Sequence, residues 1–404
     1  MKIAFVAPFF GRDTAGGAEA ACRNLAIRLA AHGFEVDVLA TRCRDLHHDW
    51  AENYYPAGPV REDGLCIRRF EADRTDLGPL ADLNTRLIAG LRLSRAEELR
   101  FMALHVNSAA LYRHLAAHAK DYDWIAFIPY LFGIAVHGTR LCPDRAVLIP
   151  CLHDEGYAHM SIMRDLFARC ARFVFHSEPE ARLARRLFGV PPERGVVLGS
   201  GVEPAPEADG ERFRRRYGID GPFLLYAGRK DATKNVPALI RDFAAWHSRR
   251  NTDVSLVLIG PERAAIPPDA AGAIRDLGFV PPADRQDAFA AAAILCQPSR
   301  NESFSLVMME AWLCGKPCIV DAACAVTRDH VVRSGGGLYT AGGAEFGAAL
   351  DRILGDPSLA RAMGEHGRAY VQARYRWDRI IERCRTEVFP PREAGGQKRR
   401  ERGG

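Results

Sequence analysis

One sequence pattern constrains the fold most: a short apolar segment, then a glycine-containing loop, then a helix-forming stretch. The chain opens with it, since residues 2–7 are apolar, the loop 10–17 holds three glycines, and residues 18–32 favour a helix. The same order restarts at 223–227, an apolar segment followed by Gly228. Short apolar strands that alternate with helices are typical of parallel sheets covered on both faces. The pattern therefore predicts two α/β domains, each built on a parallel sheet.

The domain boundaries follow from the chain length and from a stretch whose composition is typical of a linker. At 404 residues the chain suits two domains of ordinary size. The stretch 201–222 begins rich in glycine, proline and acidic residues, which predicts a linker between a first domain at 1–200 and a second at 223–374. The tail 390–404 is rich in glycine, lysine and arginine and has nothing to bury, so it is predicted to be disordered.

Bulk composition excludes several classes of protein. Charged residues are 26% and hydrophobic residues 48%, as in ordinary soluble proteins, and part of the net charge of +5 comes from the tail, which gives no case for nucleic acid binding. Residues 1–8 are too short for a signal peptide, and the longest uncharged run, 124–139, is shorter than a membrane span of ~20 residues. Eleven cysteines without a Cys-x-x-Cys pair favour reduced thiols and a cytoplasmic location.

The first glycine loop does not match the common nucleotide-binding fingerprints. No Gly-x-Gly-x-x-Gly occurs, and Gly17-Ala18 stands where a P-loop requires Lys followed by Ser or Thr. What remains is the pair Gly16-Gly17 directly before a helix, which lets the backbone approach an anionic ligand closely. Taken alone, such a pair is more often an ordinary turn.

Two carboxylates frame the stretch 299–317. Glu302 precedes a predicted helix from Ser303 to Cys314, and Glu310 lies on that helix, with seven residues between the two. A helix N-terminus favours an anion, and carboxylates without a basic partner nearby in sequence suit a ligand rich in hydroxyl groups. A capping glutamate and a surface glutamate would give the same spacing.

The loop after the strand 223–227 carries fixed cations. Gly228 permits a sharp turn beside a ligand, and Arg229 and Lys234 lie close to the start of the next helix. Arginine can bind phosphate oxygens in bidentate fashion while lysine acts as a point charge. Such cations can stabilise the negative charge that builds up on a departing diphosphate. Exposed surface charge is the alternative.

Together these motifs resemble the donor site of the retaining family-4 glycosyltransferases. The resemblance implies the α/β fold called GT-B, two facing Rossmann-like domains with a cleft between them, and a final helix at 375–389 that packs back on the first domain. Most members carry glycine where this chain has Ser303 and Ser305. The matching motifs are Gly16-Gly17-Ala18-Glu19, Gly228-Arg229 with Lys234, Glu302-Ser303-Phe304, Glu310-Ala311 and Gly315-Lys316-Pro317.

The resemblance also implies a reaction and roles for residues. A hexose would move from a nucleoside-diphosphate sugar to an acceptor hydroxyl with retention of configuration, without a metal or a cofactor. Arg229 and Lys234 would hold the diphosphate, Glu310 the ribose and Glu302 the sugar hydroxyls, and His153 would lie against the donor sugar unless it is a structural histidine. The expected catalytic group is Glu302, His153, Arg229 and Lys234. The expected donor-binding residues are Gly16, Gly17, Arg229, Lys234, Phe279, Val280, Glu302, Phe304, Ser305, Leu306 and Glu310.

Other assignments stay open at the level of sequence. A GT-B epimerase or phosphorylase, or a non-catalytic nucleotide-sugar-binding scaffold, would share the fold. The acceptor is unknown and could be a glycan, a lipid-linked molecule or a small molecule, with specificity expected in 41–107. The tail could contact anionic lipid at the inner membrane face. His47-His48-Asp49 and Asp121-Tyr122-Asp123 are interpreted as a solvated loop and a strand-entry turn, so no metal site is predicted.

Overall fold

The structure, a computed structural model, describes residues 1–14, 16–230 and 232–392. The described chain forms two compact α/β units. The first unit contains residues 1–175, 184–198 and the chain from residue 381, and the second contains 176–183 and 199–380. Of the predicted tail 390–404, residues 393–404 lie outside the described part.

The first unit is built on an eight-stranded sheet in the order β3-β4-β2-β1-β5-β6-β7-β8. Neighbouring strands are parallel, apart from the antiparallel pair β3 and β4. Strands β2 to β4 are added on one side of β1, and strands β5 to β8 are added on its other side. The strand order therefore reverses between β1 and β5. The strands are β1 (Lys2–Ala7), β2 (Glu35–Thr41), β3 (Gly58–Glu62), β4 (Leu65–Phe70), β5 (Trp124–Phe127), β6 (Ala146–Leu148), β7 (Arg172–Phe175) and β8 (Gly195–Val197).

Local chemistry fixes the helices of the first unit. A capping box starts α3, in which the Ser94 hydroxyl accepts from the Glu97 backbone N–H and the Glu97 carboxylate accepts from the Ser94 N–H. Glu98, the next residue of α3, is buried, and its carboxylate accepts from the Ser161 backbone N–H at 2.7 Å and so caps α6. The helices are α1 (Gly17–Ala31), α2 (Leu77–Ile88), α3 (Arg95–Leu104), α4 (Ala109–His118), α5 (Gly133–Gly138), α6 (Ser161–Arg169) and α7 (Glu178–Phe188), the last divided between the units.

The second unit contains a six-stranded, all-parallel sheet in the order β11-β10-β9-β12-β13-β14. The order reverses between β9 and β12, and in open α/β sheets ligands bind at the carboxyl ends of the strands beside such a reversal. Its strands are β9 (Phe223–Ala227), β10 (Ser255–Ile259), β11 (Ile274–Gly278), β12 (Ile294–Gln297), β13 (Cys318–Asp321) and β14 (Gly337–Thr340). Its helices are α8 (Gly210–Tyr217), α9 (Val236–Arg250), α10 (Pro282–Ala291), α11 (Leu306–Leu313), α12 (Ala325–Ser334), α13 (Gly343–Leu354), α14 (Pro357–Arg374) and α15 (Trp377–Arg383), whose last turn groups with the first unit.

The core of the second unit lies on both faces of this sheet. Along β9, Leu224 and Tyr226 pack into one apolar cluster, and Phe223 and Leu225 pack into the other. Both faces are therefore covered by helices, which explains why the strands are continuously apolar and do not alternate with polar residues.

Three sequence expectations need adjustment. The predicted linker 201–222 contains helix α8, which packs on α10 through an ion pair between Arg212 and Asp287. The helix expected to begin at Ser303 begins at Leu306. The predicted final helix 375–389 is α15 followed by a π-helical turn.

The end of the described chain is tied to the sheet of the first unit. The indole N–H of Trp124, on β5, donates to the Pro390 carbonyl at 2.9 Å. The Arg392 guanidinium donates to the Asp144 carbonyl at 2.6 Å. The segment from residue 381 therefore belongs to the first unit, although the strands of that unit lie far earlier in the sequence.

Candidate donor site

Two loops meet at the reversal point of the second sheet. One follows β9 and leads through Lys234 into α9, and the other follows β12 and carries Glu302. Because β9 and β12 are neighbours, their carboxyl ends share one edge of the sheet, and the Lys234 Nζ lies 2.7 Å from the Glu302 Oε1. The fold thus brings together two of the residues that the sequence placed in the donor site.

A buried glutamine, missed at the level of sequence, completes this contact. Gln297 is the last residue of β12, and its side-chain amide donates to the Glu302 Oε1 at 3.3 Å and to the Ser305 Oγ at 3.1 Å. Nothing in the sequence distinguished Gln297 from a polar residue at the end of a strand. Its function becomes visible only when the loop folds back over the strand end.

Ser305 adopts a backbone conformation that suits glycine. Its φ of 71° and ψ of 74° are left-handed, and it is the residue directly before α11. A side chain in this region is strained. The family's glycine at this position is therefore matched in backbone conformation but not in residue type, and the helix starts three residues later than predicted because Ser305 breaks it.

Phe304 anchors the same loop in the core. Its ring meets Tyr375 and His330 edge to face, with centroid distances of 4.9 and 5.4 Å. His330 is buried and its Nδ1 lies 2.9 Å from the Tyr370 hydroxyl. Burial lowers the pKa of His330 to about 4, so this ring is neutral near pH 7. The predicted donor contact of Phe304 therefore has to come from its backbone, because the ring is enclosed.

Glu310 has a cation of its own. Arg285, on α10, donates to both carboxylate oxygens of Glu310, at 2.6 and 2.5 Å, and the Gln286 amide adds a longer contact of 3.4 Å. Glu302 and Glu310 are thus each paired with a basic residue. Both partners come from elements distant in sequence, so they could not be seen as neighbours of the glutamates along the chain.

Lys230, next to Arg229, is the second residue that sequence reasoning missed. Its side chain is completely buried, and its ammonium lies 3.0 Å from the Asp276 Oδ1. It also donates to the carbonyls of Gly260 and Glu262, at 2.5 and 3.1 Å. Lys230 therefore fastens the loops that follow β9 and β10 to strand β11. Arg229, by contrast, is exposed.

Glycine is required where two of these loops cross. A Cβ on Gly260 would lie 2.1 Å from the Gly228 carbonyl oxygen, which leaves no room for a side chain. The two backbones therefore run in direct contact beside Arg229. Further along the same edge, Phe279 follows β11 with 76% of its surface exposed, Val280 is buried, and Leu306 opens α11 half-buried.

The remaining candidates lie in the first unit. Gly16 has a φ of 139° and a Cβ there would lie 1.9 Å from the Glu19 carboxylate, whereas Gly17 begins α1 beside open space. His153 lies in the loop after β6, and its Nδ1 is 3.8 Å from the Glu155 Oε1. Gly16 and Gly17 thus lie at the start of α1, and His153 lies beyond the carboxyl end of β6.

The same unit contains a cavity of about 510 Å³. Part of its wall comes from the turn between α2 and α3, with Leu91 and Arg92, and part from the loop after β6, with Asp154 and His159. Its volume lies within the ~300–1,000 Å³ range of small-molecule sites.

The two metal-like sequence motifs have structural explanations. Asp45 accepts hydrogen bonds from the His47 backbone and the His48 ring, which closes a loop. The Asp123 carboxylate accepts from the Lys2 backbone N–H at 2.8 Å and ties β1 to the start of β5. Among the described residues, no three histidine, cysteine or acidic side chains are grouped as metal ligands would be. No helix in the described ranges combines the length and apolar character needed to cross a bilayer.

Comparison with known proteins finds matches over both units. A family profile described as "Glycosyl transferases group 1" matches residues 209–370, and one described as "Glycosyl transferase 4-like domain" matches residues 16–201. The chain is 31% identical to the D-inositol 3-phosphate glycosyltransferase of Kineococcus radiotolerans, over 97% of this chain and 94% of the relative. It is 29% identical to the enzyme of that name from Acidothermus cellulolyticus, over 92% and 85%.

A solved structure shares the fold across both units. The structure of Anabaena HepE in complex with UDP matches with a TM-score of 0.68 and 17% identity, over 95% of this chain and 98% of that chain.

Proposed function

Because the chain belongs to the group 1, family-4 glycosyltransferases of the GT-B fold, we propose that it moves a hexose from a nucleoside-diphosphate sugar to an acceptor hydroxyl, with retention of configuration. The observation that carries this proposal is the contact between Lys234 and Glu302 at the reversal point of the second sheet. That point is where an open α/β sheet binds its ligand, and the pair offers a cation and a carboxylate there.

The donor roles divide between charge and hydroxyl recognition. Lys234 and Arg229 meet the diphosphate and stabilise the charge that develops as the glycosidic bond breaks. Glu302 accepts hydrogen bonds from sugar hydroxyls. Gly16 and Gly17, at the start of α1, are assigned as backbone that can approach an anion, and Phe279 and Val280 are assigned to the base. HepE, which shares the fold, was solved with UDP, and this supports a uridine nucleotide as the first donor to test.

The chemical step follows the family's same-face displacement. The bond between the anomeric carbon and the diphosphate oxygen breaks, the acceptor oxygen bonds to the same face, and the acceptor proton passes to the leaving diphosphate. No side-chain base is needed in this scheme, and we assign His153 a hydrogen bond to a sugar hydroxyl and not the role of a base. Neither a metal nor a cofactor is required, because Arg229 and Lys234 supply the positive charge. Equal transfer rates in EDTA and in Mg²⁺ would support this, and a rate restored only by Mg²⁺ would contradict it.

The acceptor binds in the first unit. The cavity beside Arg92 and His159, of about 510 Å³, is large enough to hold a sugar. Relatives named for D-inositol 3-phosphate make that phosphorylated polyol the first acceptor to assay. A glycan or a lipid-linked acceptor is the next class, assayed with the same donor.

We place the protein in a reducing, cytoplasmic compartment, with peripheral contact to the inner membrane face. All eleven cysteines are unbridged, which supports the compartment. Ile88 and Leu91 at the turn between α2 and α3 are 71% and 55% exposed beside Arg92, which supports contact with an anionic bilayer. Sedimentation with phosphatidylglycerol vesicles, absent with phosphatidylcholine vesicles, would support the contact, and equal sedimentation or none would contradict it.

The experiment that tests the function is calorimetric titration with UDP, GDP and ADP in EDTA, followed by transfer assays. Micromolar binding of one nucleotide, lost in Lys234→Ala and Glu310→Ala but kept in the exposed-lysine control Lys120→Ala, would support the donor site. Binding without transfer to any acceptor would favour the scaffold alternative, and conversion of the donor sugar to its epimer would favour an epimerase. No binding would refute the assignment.

A further inference from the structure

Ser305 keeps a strained backbone at a position where the chain could carry glycine. Six non-glycine residues in the described chain have positive φ, and three of them are asparagine or aspartate, which tolerate this region. Ser305 lacks that tolerance and is buried. Strain that persists beside a binding site suggests that the side chain has a function there.

The Ser305 hydroxyl has one described partner, and that partner leads to Glu302. The Gln297 amide nitrogen lies 3.1 Å from the Ser305 Oγ and 3.3 Å from the Glu302 Oε1. A side-chain amide carries two N–H donors, so one can serve each oxygen. The Glu302 carboxylate can only accept hydrogen bonds, so the Gln297 amide must turn its nitrogen toward Glu302. The Ser305 hydroxyl then accepts the second N–H of the same nitrogen.

Both described contacts of the Glu302 carboxylate converge on one oxygen. Lys234 and Gln297 each donate to Oε1, and no hydrogen bond from another described residue reaches Oε2. Because both donors hold Oε1, Oε2 is left to accept from a further donor such as a sugar hydroxyl.

We propose that Ser305 is a positioning residue: its hydroxyl holds the Gln297 amide, which with Lys234 fixes Glu302 so that Oε2 meets the donor sugar. The inference rests on the proposed function and concerns the same site. It also explains why serine replaces the family's glycine. The Ser305 hydroxyl accepts a hydrogen bond from Gln297, which glycine could not do, and this contact compensates for the backbone strain.

The proposal separates stability from sugar recognition, and two substitutions test the separation. Ser305→Gly relieves the strain and removes the hydroxyl, so it is expected to raise Tm by a few degrees, about 2–4 °C. Ser305→Ala keeps the strain and removes the hydroxyl. Both are expected to lower kcat/KM for UDP-glucose about five- to tenfold, the effect of one hydrogen bond. Because Glu302 meets the sugar and not the nucleotide, both should bind UDP itself as the wild type does.

Gln297→Met and a double variant complete the design. Gln297→Met is expected to lower kcat/KM as Ser305→Gly does, and Ser305→Gly/Gln297→Met no further, because the two residues act in one chain. Asn251→Gly is the matched control, since Asn251 is also left-handed, with a φ of 45°, but is exposed at the end of α9. Its kcat/KM should not change.

Three outcomes overturn the inference. If Ser305→Gly keeps wild-type kcat/KM for UDP-glucose, the hydroxyl does not position Glu302. If the losses in Ser305→Gly and Gln297→Met add, the two residues act separately. If the wild-type protein binds neither UDP nor GDP and transfers neither glucose nor mannose from their sugars, the proposed function fails and the inference fails with it, whereas an active wild type with an unaffected Ser305→Gly refutes the inference alone.

Discussion

Replacing Lys230 with methionine should destabilise the second unit strongly. The Lys230 side chain is fully buried, and its ammonium binds the Asp276 carboxylate and the carbonyls of Gly260 and Glu262. Methionine fills a similar volume but donates no hydrogen bond, so the carboxylate loses its charge partner and the carbonyls lose a donor. Removing one partner of a buried ion pair costs about 3–5 kcal/mol. For a domain of this size that corresponds to a fall in Tm on the order of 10 °C.

Part of this cost depends on the ionisation of Asp276. Burial alone would raise the pKa of Asp276, but the backbone N–H groups of Ala264 and Gly278 and the Lys230 ammonium outweigh burial and hold that pKa below its usual range. A carboxylate with a lowered pKa stabilises the fold above the pKa of its unfolded form, ~3.9, and the contribution is lost as the pH falls through the folded value. The difference between wild type and Lys230→Met should therefore shrink only in strong acid.

The assay is urea denaturation at pH 7, followed by intrinsic fluorescence, with two controls. Arg250→Met removes an ion pair with Asp351 whose side chains are 56% and 34% exposed, and it should unfold at the wild-type midpoint. Lys230→Met/Asp276→Asn removes both charges together but keeps an amide oxygen that can accept a backbone N–H, so it should recover part of the loss, since no buried charge is then left unpaired. An unchanged midpoint for Lys230→Met would refute the reasoning and would mean that the desolvation of the ammonium cancels its contacts.

Two further predictions concern the donor site and its support. Arg285 binds both oxygens of Glu310 and balances its charge, so Arg285→Leu leaves a carboxylate that repels the diphosphate and should weaken UDP binding a few-fold in calorimetry, while Gln286→Ala has little effect. Tighter binding would show instead that Arg285 competes with the nucleotide ribose for Glu310. Burial lowers the pKa of His330 to about 4, below the ~6.5 of an unfolded histidine, so its stabilising contribution is complete above pH 6.5 and is lost as the pH falls toward 4. The urea midpoint of His330→Gln should consequently change less between pH 7 and pH 5 than that of the wild type, and an equal change would exclude His330 as the source.

The alternation of strands and helices could be predicted because strands that are buried on both faces consist of continuous apolar residues, which are visible in the sequence. The predicted strand 223–227 is β9, and every residue of it is buried. β3 was missed, since Gly58 and Pro59 are poor strand residues. The signal for it was nevertheless present, because Asp63-Gly64 links β3 to β4 with both residues at positive φ, the turn that Asp-Gly favours in hairpins.

The pairing of charges in the site could not be predicted, since it depends on strand order. Lys234 and Glu302 are 68 residues apart and meet only because β9 and β12 are neighbours. Arg229 and Lys230 are adjacent basic residues that sequence alone cannot separate, and packing decides that the second is buried while the first is exposed. The start of α11 was misplaced for a similar reason: no local preference of serine indicates that Ser305 turns left-handed.

The separate pairing of the two glutamates has an electrostatic consequence for the proposed donor. Two uncompensated carboxylates at the reversal point would repel a diphosphate, since charges a few ångströms apart interact strongly away from bulk water. Lys234 balances Glu302 and Arg285 balances Glu310, so the carboxylates can accept hydroxyl hydrogen bonds without that repulsion. The charge of Arg229 then adds to a site that is already balanced. A diphosphate can bind to such a site through protein cations, which is why we expect the site to operate without a metal.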